Sequence, residues 1–133
     1  MYSKGQGVPQ DYKEAIRLFR LSAEQGDAFA QLNLGLMYGN GLGVPQDYKE
    51  AVKWYRLAAE QWIAQAQFKL GVMYDKGQGV PQDKLFAHMW WDLAGSKGNK
   101  NAIKNRNIIA KKMSPSQIEK AEEMARKWKP TSK

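Results

Sequence analysis

The chain has 133 residues, a 43% apolar composition, a formal charge of +8 and no cysteine. This length predicts one small folded domain, and no run of about 18 apolar residues suggests a membrane-spanning helix. The first residues lack the apolar core of a signal peptide, so a cytoplasmic location is the default expectation, with the compartment of any longer protein left open. The missing cysteines exclude disulfides, cysteine-ligated zinc and a thiolate nucleophile.

The positive charge is concentrated at the C-terminal end. Residues 97–133 carry eleven of the 21 basic side chains and only three of the 13 acidic ones, so residues 1–96 have no net charge. A basic end of this kind raises the possibility of nucleic-acid or anionic-surface binding. Three glutamates interrupt the basic patch, however, and aromatic residues are not interleaved with it as stacking platforms. Such binding is therefore the alternative function and not the first.

The sequence repeats itself every 36 residues. Residues 1–15, 37–51 and 73–87 align without gaps, and each contains the loop Gly-x-Gly-Val-Pro-Gln-Asp. This period is typical of a solenoid, in which each repeat buries one face against the next. We therefore predict one all-α domain with a partial repeat at 1–26, repeats at 27–62 and 63–98, a C-terminal cap at 99–129 and a tail at 130–133.

Each repeat is predicted to contain two helices, A and B. Helix B begins at the aspartate after the loop proline, because aspartate is a good N-cap and proline cannot lie in a helix interior. Helix A has an apolar face with a glycine beside it, Gly35 or Gly71, which indicates close contact with a B helix. The first complete helix is expected at 11–25, with an apolar flank in solvent that suggests the tail of a longer array or a surface covered by association. The predicted B-helix caps are Asp11, Asp47 and Asp83.

The end of the chain departs from the repeat and has the pattern of a cap. Ser114 is predicted as an N-cap, with Pro115 in the first turn and Gln117 completing a capping box. A final helix is expected at 115–128. Its inner face should carry Ile118, Ala121, Ala125 and Trp128. Terminal repeats need a polar outer side, which the lysines supply.

The middle junction between repeats breaks the pattern. Elsewhere a glycine provides a left-handed turn and Asp27 or Asn99 caps the next helix, but here the same places hold Trp62 and Ile63. A left-handed tryptophan costs about 1 to 2 kcal/mol, and a lost cap about another 1. These costs favour a continuous helix at 47–74, whose separated halves would pair with a second molecule in a domain-swapped homodimer. The alternative is that tertiary packing keeps the turn, with Trp62 strained or its ring laid on the surface.

The motif LGxMYxxGxGVPQDYxEAxxWYRxAAEQG, matched best at residues 34–61, resembles the signature of the Sel-one-like repeat (SLR) family. The similarity extends over about residues 1–112. It implies a right-handed α/α superhelix like that of tetratricopeptide proteins, and an adaptor scaffold, in bacteria often linked to host interaction, secretion systems or envelope functions. A cysteine-rich branch of the family is associated with β-lactam binding. This alternative requires disulfide cysteines that the chain lacks.

The candidate binding surface is the face of the A helices that stacked repeats turn to one concave side. We expect it to bind a helix or an extended peptide of a protein partner, and its apolar upper part and basic lower end favour an amphipathic, acidic ligand. The competing interpretation is that Phe29, Leu32 and Phe68 pack against the adjacent repeat. Counting i, i+3, i+7 along each A helix gives the site residues Phe29, Leu32, Leu36, Gln65, Phe68, Val72, Asn101, Lys104 and Ile108, the positions that tetratricopeptide grooves also use.

No set of residues predicts catalysis, a cofactor or a metal ion. His88 is the only histidine, has no second ligand at metal-binding spacing, and is expected on the surface or half-buried. The recurring acidic residues are interpreted as helix caps and first-turn charges. The glycine-rich loops lack the lysine and the preceding strand of a phosphate-binding loop. We therefore predict a binding protein and not an enzyme, with a protein partner, no cofactor and no membrane association.

Overall fold

The structure is a computed structural model that describes the backbone of residues 8–130 and the side chains of residues 12–130. All regular structure in this part of the chain is helical, which confirms the predicted all-α solenoid. The helices are α1 (Val8–Glu24), α2 (Ala28–Asn40), α3 (Tyr48–Ala59), α4 (Ala64–Lys76), α5 (Lys84–Ser96), α6 (Lys100–Ala110) and α7 (Pro115–Lys127).

The helices pack as repeated pairs. Within the repeats α2 packs against α3 and α4 against α5, while α3 packs against α4 and α5 against α6 across the junctions. The C-terminal α7 also packs against α5. The A helices are therefore α2, α4 and α6, and α7 closes the C-terminal end.

Most helix boundaries follow from local capping chemistry. The Asp47 carboxylate accepts a hydrogen bond from the Glu50 amide, and Asp83 caps α5 in the same way. The inter-repeat caps Asp27 and Asn99 are also present. Ser114 and Gln117 complete the predicted capping box of α7. These hydrogen bonds confirm the predicted caps. Each cap satisfies a backbone N–H group that the helix would otherwise leave unpaired.

The predicted start of the first helix is wrong. The helix was expected to begin at Asp11, but α1 begins at Val8, about one turn earlier. Pro9 is tolerated there because the first N–H groups of a helix have no intrahelical partner, so proline sacrifices no hydrogen bond. The Asp11 side chain and the preceding part of the predicted loop, residues 5–7, lie outside what the structure describes.

The continuous helix predicted through the middle junction is also wrong. The chain turns between α3 and α4, and Trp62 adopts a left-handed conformation with φ of 66°. The Trp62 ring meets the Trp128 ring edge to face, with 4.9 Å between centroids, and the Lys97 ammonium lies 4.8 Å from its centroid. Packing of this ring offsets the strain, as the alternative interpretation required. The repeats pack within one chain, so the reason for a swapped homodimer disappears.

The core explains the recurring glycines and corrects the prediction for His88. A Cβ atom at Gly35 would lie 2.6 Å from the Tyr55 ring, and one at Gly71 would lie 2.3 Å from Nε1 of Trp91. Both glycines therefore permit the helix contact that was predicted. His88 is only 2% exposed, whereas a surface or half-buried position was expected. Its ring lies in the core because α6 and α7 pack over α5.

Candidate partner-binding face

The nine predicted site residues lie on α2, α4 and α6 in three rows that run across these helices. We call this surface the A-helix face. The first row, at the N-terminal ends of the helices, is exposed. Phe29 is 65% exposed, and Gln65 and Asn101 are exposed beside it in the next two repeats. For Phe29 the structure therefore rejects the interpretation that it packs against the neighbouring repeat.

The second row passes from the core to the surface along the array. Leu32 is 6% exposed and belongs to the hydrophobic core, so it stabilises the fold and is not accessible. Phe68 is half-buried and packs against that core, and its backbone oxygen accepts a hydrogen bond of 3.1 Å from Nε1 of Trp91. Lys104 is exposed. In this row Lys104 is therefore accessible to a partner, Phe68 is partly accessible and Leu32 is not.

Two residues of the third row, Val72 and Ile108, line cavities. Leu36 and Val72 are half-buried, and Ile108 is 48% exposed. Val72 lines a cavity of about 230 Å³ between α2 and α4, which we call the first cavity. Ile108 lines a second cavity of about 110 Å³ between α4 and α6.

The two cavities are the same feature of the solenoid, displaced by one repeat. Residues that line the first cavity correspond, 36 positions later, to residues that line the second. The corresponding pairs are Gly39 and Asp75, Tyr55 and Trp91, Lys69 and Asn105, Val72 and Ile108, Met73 and Ile109, and Lys76 and Lys112. The repeat therefore presents a series of small depressions along the A-helix face.

The electrostatic character of this face is basic. Ion pairs among the described side chains join Arg17 to Glu14, Arg106 to Asp92 and Lys127 to Glu123. None of them involves the cavity lysines, and Asp75 is the only carboxylate among the described residues that lines either cavity. Four lysines without an ion pair in the described part of the chain carry the positive charge of the face: Lys69, Lys76, Lys104 and Lys112.

Sequence reasoning missed several residues of this face. Tyr55 was not selected, although it lines the first cavity. Lys69 and Lys76 lie three and four residues from Val72 on α4 and were not selected. The available signal was their helical spacing from a residue already predicted to be in the site.

The buried His88 gives no sign of a catalytic or metal site. Its Nδ1 atom has no hydrogen-bond partner among residues 12–130, and burial lowers the pKa of the imidazole, partly opposed by the nearby Asp92 carboxylate. Among the residues that the structure describes, no cluster of histidine and carboxylate side chains could hold a metal ion. Within the same residues, no helix is long and apolar enough to cross a bilayer.

The fold and the face define an α/α solenoid of helix-pair repeats. The Sel1 repeat model matches residues 1–27, 28–61 and 64–99. The chain belongs to the Sel1 repeat family, whose members generally are non-catalytic scaffolds for protein–protein interactions. The predicted family is confirmed.

Two solved structures are similar to this chain, which spans less than half of the length of either. One is a protective antigen present in uropathogenic Escherichia coli strains, which displays an SLR fold; it is 38% identical with a TM-score of 0.87. The other is a Sel1 repeat protein from Oxalobacter formigenes, 38% identical with a TM-score of 0.70. The matches cover 90% and 72% of this chain but only 26% and 40% of those proteins. No curated protein matches the chain.

Proposed function

We propose that the chain is a protein-interaction module that binds a segment of a partner protein across the A-helix face. The observation that carries this proposal is the pair of cavities at equivalent positions of successive repeats. Each cavity has an aliphatic wall, Val72 in the first and Ile108 in the second. A segment that crosses the helices would place a side chain in each.

The size of the cavities favours a peptide segment over a small molecule. Pockets that bind drug-sized ligands usually have volumes of about 300 to 1,000 Å³. The two cavities are smaller, at about 230 and 110 Å³, and they lie side by side. Small adjacent depressions are suited to successive side chains of one bound segment.

A capture experiment with a single surface variant tests this function. Wild-type chain and the Ile108→Glu variant are immobilised, and the proteins that they retain from a cell lysate are quantified by mass spectrometry. Ile108 is half-exposed, so the substitution should leave folding nearly unchanged, within about 0.5 kcal/mol. A partner anchored in the second cavity should be retained at least about fivefold less, because loss of an interface anchor costs more than about 1 kcal/mol.

The matched control is Leu18→Glu, which introduces the same charge at a leucine of α1 that is 52% exposed. A true partner is retained by this control as well as by the wild type. Equal loss in both variants would indicate nonspecific hydrophobic capture. A set of retained proteins that Ile108→Glu does not change would contradict binding at the A-helix face.

A further inference from the structure

The first cavity contains a hydroxyl group without a partner. Tyr55 is 4% exposed and lines the cavity, and its hydroxyl makes no hydrogen bond within the described residues. A Cβ atom at Gly39, another lining residue, would lie 3.5 Å from this hydroxyl oxygen. The corresponding Trp91 uses its ring N–H within the protein, on the backbone of Phe68. The Tyr55 donor is therefore available to a bound group.

The same hydroxyl remains protonated near neutral pH. Burial raises the pKa of Tyr55 well above its usual value, because a phenolate would lose its hydration in the core. A protonated phenol can donate a hydrogen bond to an anion.

Two lysines line the same cavity without a carboxylate to oppose them. Lys69 is half-buried and Lys76 is exposed, and no ion pair within residues 12–130 involves either one. The remaining polar lining consists of amide and phenol groups, from Asn40, Gln46, Gln78 and Tyr48. The cavity thus combines positive charge with hydrogen-bond donors.

These lysines are not needed to satisfy the end of α4. The Met73 oxygen accepts hydrogen bonds from the backbone N–H groups of residues 77 and 78, and the Tyr74 oxygen accepts one from Asp83. The backbone oxygen of Asp75 accepts a hydrogen bond of 2.8 Å from the Gln82 side chain. Lys76 still interacts favourably with the helix dipole, but Lys69 lies in the middle of α4, where that effect has faded.

The second cavity has a different chemistry. Asn105 stands where the first cavity has Lys69, and Asp75 adds a negative charge that offsets Lys112. The ring N–H of Trp91 is already hydrogen-bonded to the Phe68 backbone, and Ile108 lines the wall. This cavity is therefore suited to an apolar side chain.

We propose that the first cavity binds a side-chain carboxylate of the partner, and that the bound segment carries an apolar residue three positions away, which enters the second cavity. This inference rests on the proposed function and specifies the ligand of the same face. It assigns Tyr55, Lys69 and Lys76 as the residues that bind the carboxylate.

The spacing follows from the geometry of stacked helices. Packed helix axes lie about 8 to 10 Å apart, and α4 contacts α6 in this array, so we expect neighbouring cavities to be separated by a similar distance. A segment in the polyproline II conformation rises about 3.1 Å per residue and has three residues per turn. Residues three apart therefore point in the same direction about 9 Å from each other. An extended β-strand would turn them to opposite sides.

The test is an NMR titration of the full chain with two synthetic octapeptides, both acetylated and amidated. The first has a glutamate at its third position and a leucine at its sixth, with prolines and serines elsewhere; the second has glutamine in place of the glutamate. The first peptide should shift the amide resonances of Lys69, Lys76 and Ile108 and bind at least tenfold more tightly than the second. Tyr55→Phe should weaken binding at least threefold without lowering the melting temperature, since the hydroxyl has no partner to lose.

Lys69→Met should abolish the preference for the glutamate peptide, whereas Lys120→Met, an exposed change on α7, should preserve it. Equal binding of both peptides, equal loss in both lysine variants, or no shift at millimolar peptide would each overturn the carboxylate site. The proposed function is judged separately by the Ile108→Glu capture experiment. If Ile108→Glu loses a partner but the two peptides bind equally, the A-helix face remains the binding surface and only the carboxylate ligand is rejected.

Discussion

The close contact between α4 and α5 predicts that even the smallest side chain at Gly71 destabilises the protein. A Cβ atom there would lie 2.3 Å from Nε1, 2.5 Å from Cδ1 and 2.7 Å from Cε2 of Trp91. These atoms belong to a rigid, buried indole ring whose N–H group is already hydrogen-bonded to Phe68. The ring must move, and the movement strains or breaks that hydrogen bond.

The expected magnitude for Gly71→Ala combines opposing terms. Alanine improves helix propensity by about 0.5 to 1 kcal/mol. Overpacking costs about 1 to 3 kcal/mol, and an unsatisfied buried N–H group costs about another 1 to 3. The free energy of unfolding should fall by roughly 2 kcal/mol, which lowers the melting temperature by about 8 °C for a domain of this size. Urea unfolding followed by circular dichroism measures the loss.

Gly39→Ala is the matched control, because its Cβ atom would lie 3.5 and 3.7 Å from its nearest neighbours, an ordinary contact. This variant should be as stable as the wild type or more stable by up to about 1 kcal/mol. In a Trp91→Leu background, the cost of Gly71→Ala should shrink, since the clashing ring is absent. Equal stability of Gly71→Ala and the wild type would refute the packing argument.

Two further predictions concern the junction and the core. At the strained junction, Trp62→Gly should be about 1 kcal/mol more stable than Trp62→Ala in urea unfolding, because both variants lose the ring contact with Trp128 but only glycine relieves the left-handed strain. The reverse order of stability would contradict the strain. Light scattering of the wild-type chain should find a monomer. Because burial lowers the pKa of His88 in the folded state, its contribution to stability is full above the unfolded pKa of about 6.5 and is lost as pH falls below it. The His88→Leu variant should lack this decrease between about pH 7 and pH 5, and an unchanged pH profile would contradict the argument.

The sequence by itself was sufficient for the repeat, the helix pairs and most of their boundaries. The reason is that these features depend on neighbours in the chain. Asp47 and Asp83 cap helices by binding amides three residues away, and Ser114 forms its capping box within four residues. The 36-residue period then determines which helices stack. Such local chemistry is the same in the isolated segment and in the folded protein.

The candidate site could be predicted only as a face. Helical spacing selects positions on the A helices, but it cannot distinguish Leu32, which the neighbouring repeat buries, from Phe29, which remains exposed. It also cannot show that Tyr55 reaches a cavity formed by two other helices. Burial depends on residues that are distant in the sequence.

The backbone conformation of Trp62 and the burial of His88 depend on the tertiary structure alone. Local propensity favoured a continuous helix at the middle junction, yet the ring of Trp62 packs against Trp128, which lies 66 positions later in the chain. His88 is buried because α6 and α7 cover α5, although the local sequence allowed an exposed position. At Trp62 the contact between distant segments outweighs a local cost of about 1 to 2 kcal/mol, because the packing of large side chains contributes a free energy of at least that size.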